Sequence, residues 1–262
     1  MENFFKQPQL RMRVFAGPNG SGKSTVITDI KAKEENGKQI DFGYYINADD
    51  IAKALRNGRF SFLSYSIKPN AFQLVTFARD SGLMADAKSL NDFASGFVID
   101  GFKLFLLDIK LIDRTAQIIA RFLRSQMLRL KRRFSFETVF SHESNLDIMR
   151  EATDAGYKVY LYFVSTDSPD INKYRVALRV KEGGHSVPED KIESRYFRSM
   201  ALLNKAVGLS YQVFCFDNSN DGMPFRLTAH GKRKSGIMEW DEIPEEDQTH
   251  WFKKYCNQPS AN

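Results

Sequence analysis

Eight residues, Gly17-Pro-Asn-Gly-Ser-Gly-Lys-Ser24, constrain this chain more than anything else in it. They fit G-x-x-x-x-G-K-[ST], the phosphate-binding P-loop, with Gly17, Gly22, Lys23 and Ser24 in the four fixed places. Residues 11–16 before them read as a short strand, and residues 25–33 after them read as a helix. Strand, glycine-rich turn and helix is the setting in which the motif works. Glycines, here Gly17, Gly20 and Gly22, let the backbone turn tightly and bring its N–H groups against an anion. The N–H groups from Asn19 through Ser21 to Thr25 are the candidate cradle, and the helix N-terminus adds partial positive charge. Lys23 would reach the β- and γ-phosphates, and the Ser24 hydroxyl would hold Mg²⁺. The expected ligand is a nucleoside triphosphate, ATP or GTP. The bland alternative is a glycine-rich turn with an accidental Lys-Ser.

Apolar, strand-like runs recur at 11–16, 44–47, 134–140, 158–165 and 211–217, each followed by a helical or loop segment. This alternation predicts an α/β, doubly wound parallel sheet of about five strands. Residues 51–132 read as almost wholly helical, an insertion after the second strand. The expectation is one domain, 1–262, with a helical insertion at 53–132 and a C-terminal extension at 222–262. In that extension 225–229 and 237–243 could pair around Gly231, ahead of a final helix at 244–255.

Composition narrows the functional classes. Against 32 acidic residues stand 38 basic ones, and a net charge of +6 suits an anionic small substrate but does not argue for nucleic acid. The basic cluster Arg121, Arg124, Arg129, Lys131, Arg132 and Arg133 reads as a solvated helix end or, alternatively, as an RNA or partner contact. Two cysteines and four histidines without ligand spacing suggest neither a disulfide framework nor a metal site. The first residues lack the apolar core of a secretion signal, and charged residues interrupt every apolar run before it reaches membrane length. A soluble, cytoplasmic protein is expected.

Three stretches carry candidate chemistry. Asn47-Ala-Asp-Asp50 closes the second strand, where ligands of open α/β sheets bind. Asp49 could accept a proton from a substrate hydroxyl, or Asp49 or Asp50 could simply cap a helix starting at Ile51. In Phe134-Ser-Phe-Glu-Thr138, Glu137 and Thr138 interrupt an otherwise apolar strand, which is costly unless the charge is paired, functional or in water. Ser141 or His142 could cap the helix that follows. Arg175 and Arg179 lie one helical turn apart, Gly183-Gly184 ends their helix, and Arg195 sits two turns into the next. That arrangement reads as a lid placing arginines on a transferring phosphoryl group, or as a charged helix hairpin whose arginines pair with nearby glutamates.

Taken together, these segments resemble the zeta-toxin family of P-loop kinases, and more closely its uncharacterised bacterial branch often labelled "predicted ABC-type ATPase". The likeness rests on residues 17–25, Ile46-Asn-Ala-Asp-Asp-Ile51, Phe136-Glu-Thr138, residues 175–198 with their Gly-Gly-His-Ser-Val-Pro run, and Asp217-Asn-Ser219. It covers most of the chain outside 53–132 and the tail after about 222. By position it implies that Lys23 and Ser24 bind phosphate and Mg²⁺, and that Asp49 is the catalytic base. Glu137 and Thr138 match the substrate-side pair, and Arg179 (or Arg175) with Arg195 match the lid arginines. Family members phosphorylate the sugar of UDP-N-acetylglucosamine, and an antitoxin protein blocks their nucleotide site. Two departures bear on the acceptor: Asn47 stands where the family has the first Asp of Asp-x-Asp, and the helical insertion is longer.

The resulting expectation is an ATP/Mg²⁺-dependent phosphotransferase acting on a small-molecule hydroxyl, UDP-N-acetylglucosamine being one candidate. A nucleotide-binding switch acting through a protein or RNA partner is the alternative. An ABC transporter ATPase is disfavoured, because the chain has no Leu-Ser-Gly-Gly-Gln motif and no apolar strand ending in Asp-Glu.

Overall fold

β-branched and aromatic residues dominate the strand-like runs, and in a computed structural model most of them pair where the alternation places them. The structure describes residues 9–35, 37–84, 86–184, 186–244 and 247–256. Residues 1–6, read above for a secretion signal, His185 of the Gly-Gly-His run, and Glu245 and Glu246 of the expected last helix lie outside the described residues. The chain divides into two compact units, Met1–Gly43 with Arg133–Asn262, and Tyr44–Arg132.

The first unit opens with β1 (Arg11–Ala16), α1 (Lys23–Ala32) and a minimal antiparallel pair, β2 (Glu34–Glu35) and β3 (Lys38–Gln39). The second unit contributes β4 (Tyr44–Ile46), α2 (Ala48–Arg56), β5 (Arg59–Ser61), α3 (Ala71–Asp80), α4 (Ala87–Ser95), β6 (Phe97–Asp100), β7 (Lys103–Leu106) and α5 (Ile112–Arg129). The first unit then resumes with β8 (Phe134–Thr138), α6 (Ser144–Asp154), β9 (Lys158–Ser165), α7 (Pro169–Lys181) and α8 (Glu189–Leu209). It closes with β10 (Gln212–Asp217), β11 (Arg226–Lys234), β12 (Ile237–Trp240) and α9 (His250–Tyr255).

Within the first unit the strand order is β12-β11-β10-β9-β1-β8. β8, β1, β9 and β10 run parallel, and β11 and β12 are antiparallel. The sheet therefore has more strands than the five expected, because the C-terminal hairpin joins it at β10. That hairpin turns at Ser235 (φ 48) and Gly236 (φ 85), both left-handed as a two-residue turn of type I′ requires. It does not turn at Gly231, which lies inside β11 opposite Trp240. A Cβ at Gly231 would come within 2.8 Å of the indole ring.

One face of this sheet buries Met12, Val14, Val159, Leu161, Phe163 and Val213, and α6 and α8 pack against β9. The opposite face is built from rings in register. Phe15 stacks on Tyr162 at 4.7 Å, Tyr162 on Phe214 at 4.8 Å, and Phe42 on Phe15 at 5.2 Å. Arg13 is buried beneath this row. Its Nη1 donates to the Tyr162 hydroxyl (3.1 Å) and its Nε to the Asp41 carbonyl (3.0 Å), so its polar atoms are answered inside the fold.

The second unit corrects the expectation of an almost wholly helical insertion. It holds α2–α5 and a three-stranded antiparallel sheet in the order β5-β7-β6. Phe97-Val-Ile-Asp and Lys103-Leu-Phe-Leu alternate around Gly101, whose φ of 57 suits a tight two-residue connection. Strands this short leave little periodicity between long helices. Part of the basic cluster is reassigned, while Arg129 and Lys131 stay exposed at the helix end. Arg121 donates to the Ser81 carbonyl (3.4 Å), Arg124 to the Ala120 carbonyl (3.2 Å) and Arg132 to the Tyr65 carbonyl (2.8 Å), so these guanidiniums brace the fold of this unit. Among the described residues, no helix is long and apolar enough to cross a membrane.

Candidate phosphate-binding site

β1 ends at Ala16 and α1 begins at Lys23, so residues 17–22 form the loop between strand and helix. Gly17 (φ 144), Gly20 (φ 79) and Gly22 (φ 88) all hold backbone conformations that favour glycine. Space forbids side chains there as well. A Cβ would come within 2.1 Å of the Val164 carbonyl oxygen at Gly17, 2.6 Å of the Asn172 carbonyl oxygen at Gly20 and 2.1 Å of the Asn218 Nδ2 at Gly22. Left-handed residues alternating with right-handed ones turn successive N–H groups into one concavity, the form of backbone that binds anions.

The side chains of the loop fit a phosphate. Ser21 is fully buried and, among the described residues, its Oγ has no hydrogen-bond partner. A buried hydroxyl left unanswered is costly unless something outside the chain answers it. Lys23 is buried, and its Nζ donates to the Pro18 carbonyl at 3.1 Å, which folds the ammonium back over the loop. Ser24 and Thr25 are exposed in the first turn of α1. Among the described residues no cluster of three acidic, histidine or cysteine side chains could hold a metal by itself. The exposed Ser24 hydroxyl is an oxygen donor of the kind Mg²⁺ takes beside phosphate oxygens.

Glu137 and Thr138 stand beside the loop entrance, since β8 pairs with β1 in the register Phe15 to Glu137 and Ala16 to Thr138. Both are half-buried. Thr138 Oγ1 donates to Asn145 Oδ1 (3.1 Å) and accepts from the Phe140 N–H (3.1 Å), so it also shapes the turn into α6. His142, not Ser141, serves that turn: its Nδ1 accepts from the Ser144 N–H at 3.2 Å.

Two of the three arginines expected on a lid reach the loop or its neighbours. Arg195 on α8 donates to Asn19 Oδ1 at 3.4 Å. Arg175 on α7 donates to the Asn218 carbonyl at 2.6 Å and pairs with Asp221 at 2.6 Å. Arg179 is exposed one turn further along α7, where the Gly184 N–H donates to its carbonyl at 2.9 Å.

In the second unit Asn47, not Asp49 or Asp50, caps α2. Its side chain accepts from the Asp49 N–H at 2.8 Å, and the helix begins at Ala48. The Asp49 and Asp50 carboxylates are both exposed in the first turn, where the helix dipole favours them.

Two residues to which the sequence reading gave no role complete the loop. Asn172 on α7 donates from Nδ2 to the Asn19 carbonyl (2.7 Å), and Asn218 after β10 donates from Nδ2 to the Ser21 carbonyl (2.9 Å). A helical signal existed for the first, since Asn172 lies three residues before Arg175 and shares its face.

No protein-family model matches the chain. A 63-residue stretch is 35% identical to an uncharacterized protein of Haemophilus influenzae, covering 24% of this chain and 45% of that protein. Among solved structures, the chain is similar to one from the AvrRxo1-ORF1:AvrRxo1-ORF2 complex with sulphate ions, at a TM-score of 0.51 and 14% identity. A second structure of that complex, with ATP, gives a TM-score of 0.51 at 13% identity, and each match covers 98% of this chain and 66% of the other. A structure of the PezAT chromosomal toxin–antitoxin system of Streptococcus pneumoniae matches at a TM-score of 0.43, 14% identity, and 81% and 69% coverage. The likeness to the AvrRxo1 complex structures is one of fold, an α/β architecture with a mostly parallel central sheet and flanking helices. The chain spans about half of the curated relative it matches and about two thirds of the AvrRxo1 complex chains.

Proposed function

We propose that the protein is an ATP- or GTP-dependent phosphotransferase that moves a γ-phosphate to a hydroxyl of a small molecule. The observation that carries this reading is the loop itself: three glycines that admit no side chain, a folded-back Lys23 and a buried Ser21 hydroxyl with no hydrogen-bond partner among the described residues. In this reading the 17–25 backbone and Lys23 bind the phosphates, Ser24 holds Mg²⁺, and Arg195 with Arg175 or Arg179 balances charge on the transferring group. Mg²⁺, when bound, neutralises phosphate charge. Asp49 is the base for the acceptor hydroxyl; with Asn47 acting as the cap, its carboxylate is not committed to that role. Glu137 and Thr138 orient the acceptor.

A nucleotide sugar such as UDP-N-acetylglucosamine is the first acceptor to test, because the resemblance to zeta toxins points there. An antitoxin-type protein is the matching partner. The AvrRxo1-ORF1 structures, likewise, were determined as complexes with AvrRxo1-ORF2. The decisive experiment is a γ-phosphate transfer screen against nucleotide sugars, nucleosides and RNA, with Asp49→Ala beside the wild type. Loss of transfer with ATP affinity retained supports the base assignment, and equal loss of both removes it. Slow hydrolysis indifferent to every acceptor would favour a nucleotide switch instead.

A further inference from the structure

The P-loop is held from behind by two asparagine side chains that come from distant parts of the first unit. Asn172 is fully buried in the first half of α7. Its Oδ1 accepts from the Thr166 hydroxyl, which orients the amide so that Nδ2 faces the Asn19 carbonyl. Thr166 is itself fixed, because its carbonyl accepts from the Tyr196 hydroxyl at 2.7 Å. Asn218 stands just after β10, and its N–H donates to the Ser165 carbonyl at 2.9 Å. Its own carbonyl accepts from Arg175 at 2.6 Å, while its Nδ2 reaches the Ser21 carbonyl. The two amides thus take alternate carbonyls of the loop, at positions 19 and 21, on either side of Gly20. A Cβ at Gly22 would collide with the Asn218 amide, and one at Gly20 with the backbone of Asn172, so both glycines leave room for the asparagine residues to close on the loop.

We propose that Asn172 and Asn218 are positioning residues of the phosphate site. Their amide N–H groups hold the Asn19 and Ser21 carbonyls turned outward, so the loop's own N–H groups face an anion before it arrives. A peptide unit cannot point both its dipole ends inward. Fixing the carbonyls outside removes the rotation that would present oxygen to a phosphate, and lowers the ordering cost of binding. The inference rests on the nucleotide reading only in its ligand; the geometry calls for any phosphate-class anion. Arg175, bound to the Asn218 carbonyl, ties the lid helix to the same junction.

The test uses the full chain and two probes, pyrophosphate and ATP, each titrated calorimetrically with Mg²⁺ well below the melting temperature of every variant. Asn218→Ala and Asn172→Ala are expected to weaken pyrophosphate about tenfold, the usual scale of one lost hydrogen bond. Asn218→Asp and Asn172→Asp should weaken it further, because a carboxylate cannot donate to a carbonyl and repels the anion. Asn218 is half-exposed, so its two variants decide the matter should the buried Asn172 variants fail to fold. Variants that fold, melt at a lower temperature and still bind pyrophosphate with wild-type affinity would overturn the proposal, leaving the asparagines merely structural. A wild type that binds pyrophosphate but not ATP keeps the asparagine clamp and removes the nucleotide reading. A wild type that binds neither removes both.

Discussion

The indole Nε1 of Trp251 donates to Oδ1 of Asp217 at 3.0 Å, joining the last helix to the strand end from which Asn218 projects. Asp217 is buried, and its Oδ1 also accepts from the Ser219 hydroxyl at 2.6 Å, so this carboxylate organises the segment behind the P-loop.

Trp251→Phe keeps most of the buried ring and removes the donor. It should cost about 1–3 kcal/mol of stability, the range for a buried acceptor that loses a partner. Urea denaturation at neutral pH measures it. A variant as stable as the wild type would mean that Asp217 is satisfied without the indole.

Gly22→Ala introduces a Cβ 2.1 Å from Asn218 Nδ2 at a left-handed position. The conformation alone costs about 1–2 kcal/mol, and displacing Asn218 adds to it. The two terms separate in a double-mutant cycle: in an Asn218→Ala background Gly22→Ala should cost at least about 1 kcal/mol less. Additive losses would show that the alanine does not meet Asn218. Gly208→Ala is the contrasting change, on a helix, with open space around it. It should stabilise by up to about 1 kcal/mol.

In the proposed site Lys23 makes a charge-assisted contact to phosphate, which Lys23→Ala would remove. Nucleotide affinity should fall by roughly 10–150-fold, equivalent to about 1.5–3 kcal/mol, while far-UV circular dichroism stays as in the wild type. Unchanged ATP affinity in a folded Lys23→Ala protein would remove Lys23 from the site.

Acid stability should report Asp41. Burial on its own raises its pKa, but the hydrogen bonds from Arg133 and the Gly43 N–H, with the charges of Arg133 and Arg13, outweigh burial and hold it below 3.8. A carboxyl depressed in the folded state contributes stability above its unfolded pKa and loses it as pH falls through the folded value. Asp41→Asn should therefore flatten the decline of stability below about pH 4. Parallel acid limbs for the two proteins would contradict this ion pair. The effect is expected to be small, because Asp41 is largely exposed.

Much of the architecture was legible because its signals are local. Three glycines in six residues, followed by Lys-Ser, are typical of a turn from a strand into a helix, and the loop lies between β1 and α1. The runs 11–16 and 158–165 match β1 and β9 because parallel strands buried on both faces are largely apolar, Arg13 being the buried exception in β1. Short alternating strands inside a helical stretch, as in β6 and β7, left too weak a period to read. The C-terminal hairpin was legible as a hairpin, but Gly231 misled its turn: that glycine makes room for Trp240, and Ser235-Gly236 makes the bend. At α2 the competition among Asn47, Asp49 and Asp50 for the cap was undecidable from residue type, since all three types cap well.

Residues 17–24 alone were enough to place a glycine-rich loop of P-loop form between the first strand and the first helix of a parallel sheet. What braces that loop emerged only from the fold. Asn172 and Asn218 meet it across 153 and 197 residues of chain. A hydrogen bond of that span depends on strand order, with β9 between β1 and β10, and on the helix that brings Asn172 back over the loop. Local periodicity carries no information about either, because it records which way a side chain faces and not what it will meet.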